Sequence, residues 1–236
     1  MVKISVIIPT YNESKYIGGT LKALKEQSFK DIEVILADDN SDDGTREIAK
    51  RVYPSIKISN HKRIGPTKSF NVAAKDAKGD LLVFIDADTE VTKNMLASYY
   101  NAFGESDIVA ATGPIIPLEK TTFAIRMGFS VVSVGIVRVL LAMGMPSLIG
   151  SNTAVRADAF KKVHGFNTSL HTYYDWDLSK RLGKIGKITF VKGAIAKTSV
   201  RRVKKWGVLK YFTWHASNFF VYNLFHTARS DYEEIR

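Results

Sequence analysis

The stretch "LLVFIDADTE", residues 81–90, ends an aliphatic run in Asp86 and Asp88, two carboxylates at a two-residue spacing. On an extended segment, side chains at that spacing project to one side, so the two acids can converge. Held together away from water they repel, and each becomes costly to ionise. Either a loop solvates both, or a cation is meant to lie between them. The chain has no cysteine, which removes disulfides, zinc–thiolate sites and thiol nucleophiles. Hard oxygens alone suit Mg²⁺ or Mn²⁺, ions that take one or two protein carboxylates and complete their shell with water and substrate phosphate.

Two further polar clusters also follow apolar runs. "ISVIIP" leads into "PTYNE", and "EVILAD" into "DDNSDDGT". Ser41, Asp42 or Asp43 suits the cap of a helix beginning near Thr45. Asp39 is left over at the strand exit, where a carboxylate can accept a hydrogen bond from a nucleobase N–H.

The elements that must position these clusters alternate along the first half. Helical patterns over "SKYIGGTLKALKEQ", with Ser14 as cap, "GTREIAKRV", "PTKSFNVAAKDAK" and "TKNMLASYYNAF" separate the strands, which also include "IKIS" and "DIVAAT". Near-continuous apolar strands between amphipathic helices predict an α/β fold with a mostly parallel central sheet flanked by helices. Ligands of such sheets bind outside the carboxyl ends of the strands, so all three polar clusters are expected along one edge.

In that order and at those spacings, "SVIIPTYNE", "ILADDNSDDGT" and "VFIDAD" resemble the family 2 glycosyltransferases, inverting enzymes of the GT-A (Rossmann-like) fold that use nucleotide-sugar donors. The likeness extends through "LIGSNTAVRADAFKKVHGF" and "YYDWDLSKRL". It implies that Pro9 and Tyr11 line the base pocket, that Glu13 lies near the ribose, and that Asp39 reads the base. Lys68 falls where the family has an arginine facing base or phosphate. Asp86 would contact the ribose or the metal's water shell, and Asp88 would bind a Mg or Mn divalent cation gripping the diphosphate. Asn152 and Trp176 are further substrate-binding candidates, and Asn71 supports a loop. The catalytic base would be Asp175, with Asp177 as its local competitor and Tyr174 standing where the family has a glutamate. Both aspartates also read as first-turn helix acids favoured by the helix dipole. The family's downstream metal-ligating histidine corresponds to Lys197. Of the Gln-x-x-Arg-Trp motif of processive relatives only Arg202, Lys205 and Trp206 have counterparts, and the glutamine is missing. Arg201 and Arg202 are expected on phosphate.

The net charge of +11 is unevenly distributed. Residues 1–118 carry 15 Lys+Arg against 16 Asp+Glu, and residues 119–236 carry 19 against 7. A basic half suits phosphorylated substrates or an anionic membrane, and a solvated basic face is the plainer reading. "FSVVSVGIVRVLLAMGMPSLIG" approaches the length of a membrane span, roughly 20 residues, but Arg138 near its middle predicts a buried or interfacial helix instead. An aromatic-rich tail, "WGVLKYFTWHASNFFVYNLFH", predicts a core helix, a membrane-surface helix or a cover for another subunit. The expected organisation is a nucleotide-sugar-binding half (1–118), an acceptor and catalytic-base half of the same domain (119–205), helical and irregular, and a C-terminal helix (206–236). The expected partners are a UDP- or GDP-sugar donor, a carbohydrate or polyprenyl-linked acceptor, and peripheral contact with an anionic membrane from the cytoplasm, where a cysteine-free chain is at home. Nothing recognisable pairs with the charge to suggest nucleic acid. The competing functions are a non-catalytic nucleotide- or carbohydrate-binding protein and a sugar-phosphate nucleotidyltransferase. Gly18 and Gly19 come too late in the first turn for the phosphate loop of the latter, and the absence of G-x-G-x-x-G disfavours a dinucleotide oxidoreductase.

Overall fold

A computed structural model describes residues 3–225, 227 and 228. The chain opens as anticipated, alternating β1 (Ile4–Thr10), α1 (Ile17–Lys25), β2 (Ile32–Asp38), α2 (Thr45–Val52), β3 (Lys57–Asn60), α3 (Pro66–Lys75) and β4 (Leu81–Phe84). A short β5 (Thr89–Val91) leads to α4 (Met95–Ala102), β6 (Ile108–Thr112) and β7 (Ile115–Pro117). One long helix follows, α5 (Phe123–Ser130) passing through a π-helical stretch (Val131–Ile136) into α6 (Val137–Ala142). The rest comprises β8 (Thr153–Arg156), α7 (Ala157–Lys162), α8 (Tyr174–Leu182), β9 (Lys187–Phe190), β10 (Ala196–Thr198), α9 (Arg201–Trp206) and α10 (Val208–Phe225).

Seven strands form the main sheet in the order β3-β2-β1-β4-β8-β6-β9. All of its pairings are parallel except those of β8, which runs against both β4 and β6. Register aligns Thr10 with Asp38 and Ile7 with Phe84, so the exits of β1, β2 and β4 share one edge, as topology required. Residues facing alternate sides of these strands pack under separate helices: Val6, Ile8 and Val83 join Leu21 and Tyr99, while Ile7 and Phe84 join Phe70 and Leu178. Burial on both faces explains why the strands read as unbroken apolar runs.

Three expectations are corrected. Ser14 does not cap α1; the helix starts later, the Glu13 carbonyl accepts from Tyr16 and Ile17 N–H, and the Ser14 N–H donates to Asp43. The second half also contributes strands that its irregular pattern hid: β8 and β9 complete the main sheet, and β10 joins β5 and β7 of the first half in a small one. The C-terminal helix begins at Val208, because Gly207 at φ +82° breaks it from α9. The end of that expected helix, residue 226 and residues 229–236, lies outside the described residues.

Candidate active site

The turn after β2 is held by its own acids. Buried Asp38 accepts from Thr10 Oγ1 at 3.0 Å and from the Ser41 N–H at 3.0 Å. Asn12, at φ 57°, exchanges two 2.9 Å hydrogen bonds with Asp42. Burial alone would raise Asp43, but hydrogen bonds from Thr45 and Ser14 outweigh it and pull the carboxyl down to about 2. Asp39 also has a local task that the sequence left unassigned. Its carboxylate accepts from Ile64 N at 2.6 Å, Gly65 N at 3.0 Å and Ser69 Oγ at 3.3 Å, which fastens the loop before α3. Of roughly four acceptor positions on a carboxylate, those bonds occupy three.

That loop carries a residue missed in the sequence. Arg63 stacks 3.9 Å from the centroid of the Tyr11 ring and donates to its hydroxyl at 2.9 Å. The only signal was a basic residue in "HKRIGP", ahead of the proline that opens α3. Pro9 is half-buried at the end of β1, and Lys68 is exposed on the first turn of α3.

The exit of β4 gathers the charges. β10 pairs antiparallel with β5, and the Ser199 N–H donates to the Asp88 carbonyl at 3.1 Å, which draws the start of α9 against the acidic pair. Glu119 accepts from Ser199 Oγ and Val200 N and fixes that start. Arg201 then reaches into the cleft. It makes a two-pronged pair with Glu13, at 2.9 and 2.7 Å, and its Nε lies 3.0 Å from Asp88 Oδ2. Glu13, expected near a ribose, is thus the partner of a residue 188 positions away. Burial first, then the charges of Asp88 and Glu13, push Asp86 up to about 7. Burial and Glu13 raise Asp88 to about 6, against the opposing pull of Arg201.

Asp175 belongs to the same neighbourhood. It is the second residue of α8, whose cap, Tyr173, is in the left-handed conformation at φ 58°. Gly150 N–H donates to its Oδ2 and Trp176 N–H to its Oδ1, both at 2.9 Å. A Cβ at Gly150 would lie 3.1 Å from that oxygen, so a larger residue there would nudge the carboxylate by a few tenths of an ångström. Burial raises Asp175 despite these backbone hydrogen bonds, and its charge adds to the upward push on Asp86. Asp177 is engaged elsewhere, at 2.6 Å from Arg181 Nη2 and 2.8 Å from the Tyr222 hydroxyl.

The structure therefore brings Glu13, Asp88 and Arg201 into direct contact beside Asp86, with Asp175 close enough for its charge to act on Asp86. It does not bring Asn152 to the cleft. Asn152 is 0 % exposed; its Nδ2 donates to Ala194 and Pro114 carbonyls, and its Oδ1 accepts from the Tyr99 hydroxyl. Those hydrogen bonds make it a brace between the two sheets, away from the substrate contact expected of it. Trp176 is buried against Phe219, and its indole N–H has no hydrogen-bond partner among the described residues. Arg202 stacks on Trp206. Asn71 braces the Phe166 backbone through two 2.8 Å hydrogen bonds, as expected.

Among the described residues, no group of three or more His, Asp or Glu is arranged as a ready metal cage. Lys197 is exposed on β10, opposite Glu90. Two carboxylates held up by burial and mutual repulsion nevertheless fit a hard divalent ion that draws its other ligands from water and phosphate. Arg201, on Asp88 Oδ2, would compete with such an ion for that carboxylate.

A sequence profile described as glycosyl transferase family 2 matches residues 5–164. The chain belongs to that family. Poly(ribitol-phosphate) beta-N-acetylglucosaminyltransferase TarS of Staphylococcus aureus is 39% identical over 102 residues, 41% of this chain and 18% of that protein. The GalNAc(5)-diNAcBac-PP-undecaprenol beta-1,3-glucosyltransferase of Campylobacter jejuni is 32% identical over 103 residues, 42% of this chain and 33% of its own length. This chain therefore spans a third or less of these relatives. The fold is that of GT-A glycosyltransferases. TarS residues 1–349 in complex with UDP superpose with a TM-score of 0.67 at 20% identity, over 97% of this chain and 73% of that one. The mannosyltransferase PcManGT of Pyrobaculum calidifontis, in complex with GDP-Man and Mn²⁺, gives 0.67 at 19% identity over 91% and 64%.

Proposed function

We propose that this family 2 chain transfers a sugar from a UDP- or GDP-sugar to an acceptor hydroxyl or phosphate by a single inverting displacement. The observation that carries the reading is the charged cleft at the exit of β4, where Arg201 bridges Glu13 and Asp88 two residues from Asp86. Asp88, with Asp86, would hold a Mg²⁺ or Mn²⁺ ion, which when bound supplies charge stabilisation to the departing diphosphate. The remaining work falls to the chain. Asp175, its oxygens oriented by the Gly150 and Trp176 amides, accepts the acceptor's proton as the acceptor attacks the anomeric carbon. A positioned general base contributes on the order of a hundred-fold or more. Arg201 exchanges Asp88 for the diphosphate, a better bidentate partner for a guanidinium. Tyr11 offers its ring to the base once Arg63 swings aside, and one acceptor position on Asp39 remains for a base N–H. Asp175 is preferred over Asp177 because Arg181 and Tyr222 already engage the latter.

The TarS and PcManGT complexes, with UDP and with GDP-Man and Mn²⁺, support the donor class and the ion. The undecaprenol-linked substrate in the name of the Campylobacter relative, together with the basic second half, supports a carbohydrate or polyprenyl-linked acceptor at the cytoplasmic membrane face. Thermal unfolding against UDP, GDP and their sugars, with and without Mn²⁺, tests the donor reading. Binding raises the midpoint with the logarithm of ligand over Kd. A midpoint that no nucleotide moves, with or without the ion, rejects the proposal.

A further inference from the structure

The helix Phe123–Ala142 is long and apolar enough to cross a membrane by length and composition, yet 22% of it is buried. Ile125, Phe129, Ser133 and Val137 recur every four residues and turn inward. Ile125 and Phe129 share a buried cluster with Val200 and Val203 at the start of α9, against which Val208 and Tyr211 of α10 also pack, while Leu140 packs against the cluster of Leu170, Trp176 and Tyr222, the last on α10. Both ends of α5–α6 are thus packed into clusters that α10 also joins, which holds that helix along the protein surface and not away from it. The outward side of α5–α6 exposes Phe123 (78 %), Met127, Val131 and Ile136. α10 buries Trp214 and Tyr222 and exposes Leu209 (79 %), Phe220 and Leu224 at helical spacing. Soluble surfaces seldom carry contiguous apolar ground on this scale without an occupant.

Charge selects that occupant. No Asp or Glu lies between Glu119 and Asp158, or between Asp177 and Asp231. Arg126, Arg138, Lys204, Lys205 and Lys210 are exposed on these same helices. Two copies meeting through this face would set cations against cations, whereas anionic headgroups complement them and acyl chains take the apolar residues.

We infer that the α5–α6 helix, with α10 beside it, docks flat on an anionic bilayer, Phe123, Val131 and Leu209 entering the acyl boundary and Arg126 and Arg138 meeting headgroups. The inference deepens the membrane address of the proposed function and does not depend on its chemistry. The test is flotation of the full chain with vesicles of phosphatidylcholine alone or with one-third phosphatidylglycerol. Wild type is expected to float with the anionic vesicles only, and to be released by salt. Each cation near an anionic surface is worth about five-fold in partitioning, so R126E/R138E should weaken it at least about thirty-fold. F123S/V131S should weaken binding at every salt concentration. Matching unfolding midpoints and nucleotide-induced shifts in both variants show that the fold and the donor site are intact, which separates failure here from failure of the transferase reading. Wild type left unfloated by anionic vesicles, or floated equally by phosphatidylcholine alone, overturns the inference. So does concentration-dependent self-association that F123S/V131S abolishes, since the face would then belong to a second copy.

Discussion

Replacing Asp86 by asparagine should stabilise the metal-free protein at alkaline pH. Asp86 is pushed up to about 7 by burial and by the charges of Asp88 and Glu13. The unfolded chain ionises it near 4, so folding favours the protonated form. That contribution is full below pH 4 and is lost as pH rises towards and through 7. The gap from about 4 to about 7 corresponds to about 4 kcal/mol. Residual solvent access at Asp86 screens part of it, leaving about 2–3 kcal/mol. The amide matches the carboxylate in shape and cannot ionise, so D86N should equal wild type near pH 4 and exceed it by that margin at pH 8. For a chain of this size the margin is a midpoint rise of about 4–12 °C. Calorimetry or circular dichroism of both proteins in chelator, at pH 4.5 and 8, reads it directly. A variant that melts at or below the wild-type temperature at pH 8 refutes the idea that this carboxylate is held at a cost.

Replacing Arg201 by glutamine removes the guanidinium that competes for Asp88; donor-free Mn²⁺ affinity by calorimetry should rise about ten-fold, from an ion-pair contribution of about 1.5 kcal/mol, and unchanged or weaker binding contradicts the competition. N152A strands the Ala194 carbonyl, while the Pro114 carbonyl keeps the Ala196 N–H and the Tyr99 hydroxyl keeps the Asn152 backbone carbonyl, so urea unfolding should show a loss of about 2 kcal/mol. Nucleotide affinity of the folded fraction should not change, and a selective loss of it would return Asn152 to the substrate. Acid should weaken Mn²⁺ binding, because protons compete at Asp86 and Asp88; affinity should fall steadily from pH 8 to pH 5, and a flat profile denies these two carboxylates the ion.

Periodicity and composition made the first half legible, because a strand buried on both faces leaves an unbroken apolar run and a helix lying on it leaves a 3.6-residue stripe. Met95, Leu96, Tyr99 and Phe103 are buried together as that stripe required. β8, β9 and β10 are short and depend on partners far along the chain, so their residues carry little local signal. The acidic exits were readable as clusters, but the partner of each acid was not. Asp39 ties down the loop at Ile64 and Gly65, and Glu13 pairs with Arg201 across the whole domain. Such pairings are set by how loops meet at a sheet edge. Asn152 shows the converse, where a motif position is an interior brace.

Turnover set beside donor binding, in wild type and D175N, probes the assignment of the base most directly. If Asp175 takes the acceptor's proton, D175N should bind the nucleotide sugar and Mn²⁺ as wild type does by calorimetry, while its transfer rate falls by about a hundred-fold or more. Equal turnover in the two proteins would contradict that assignment.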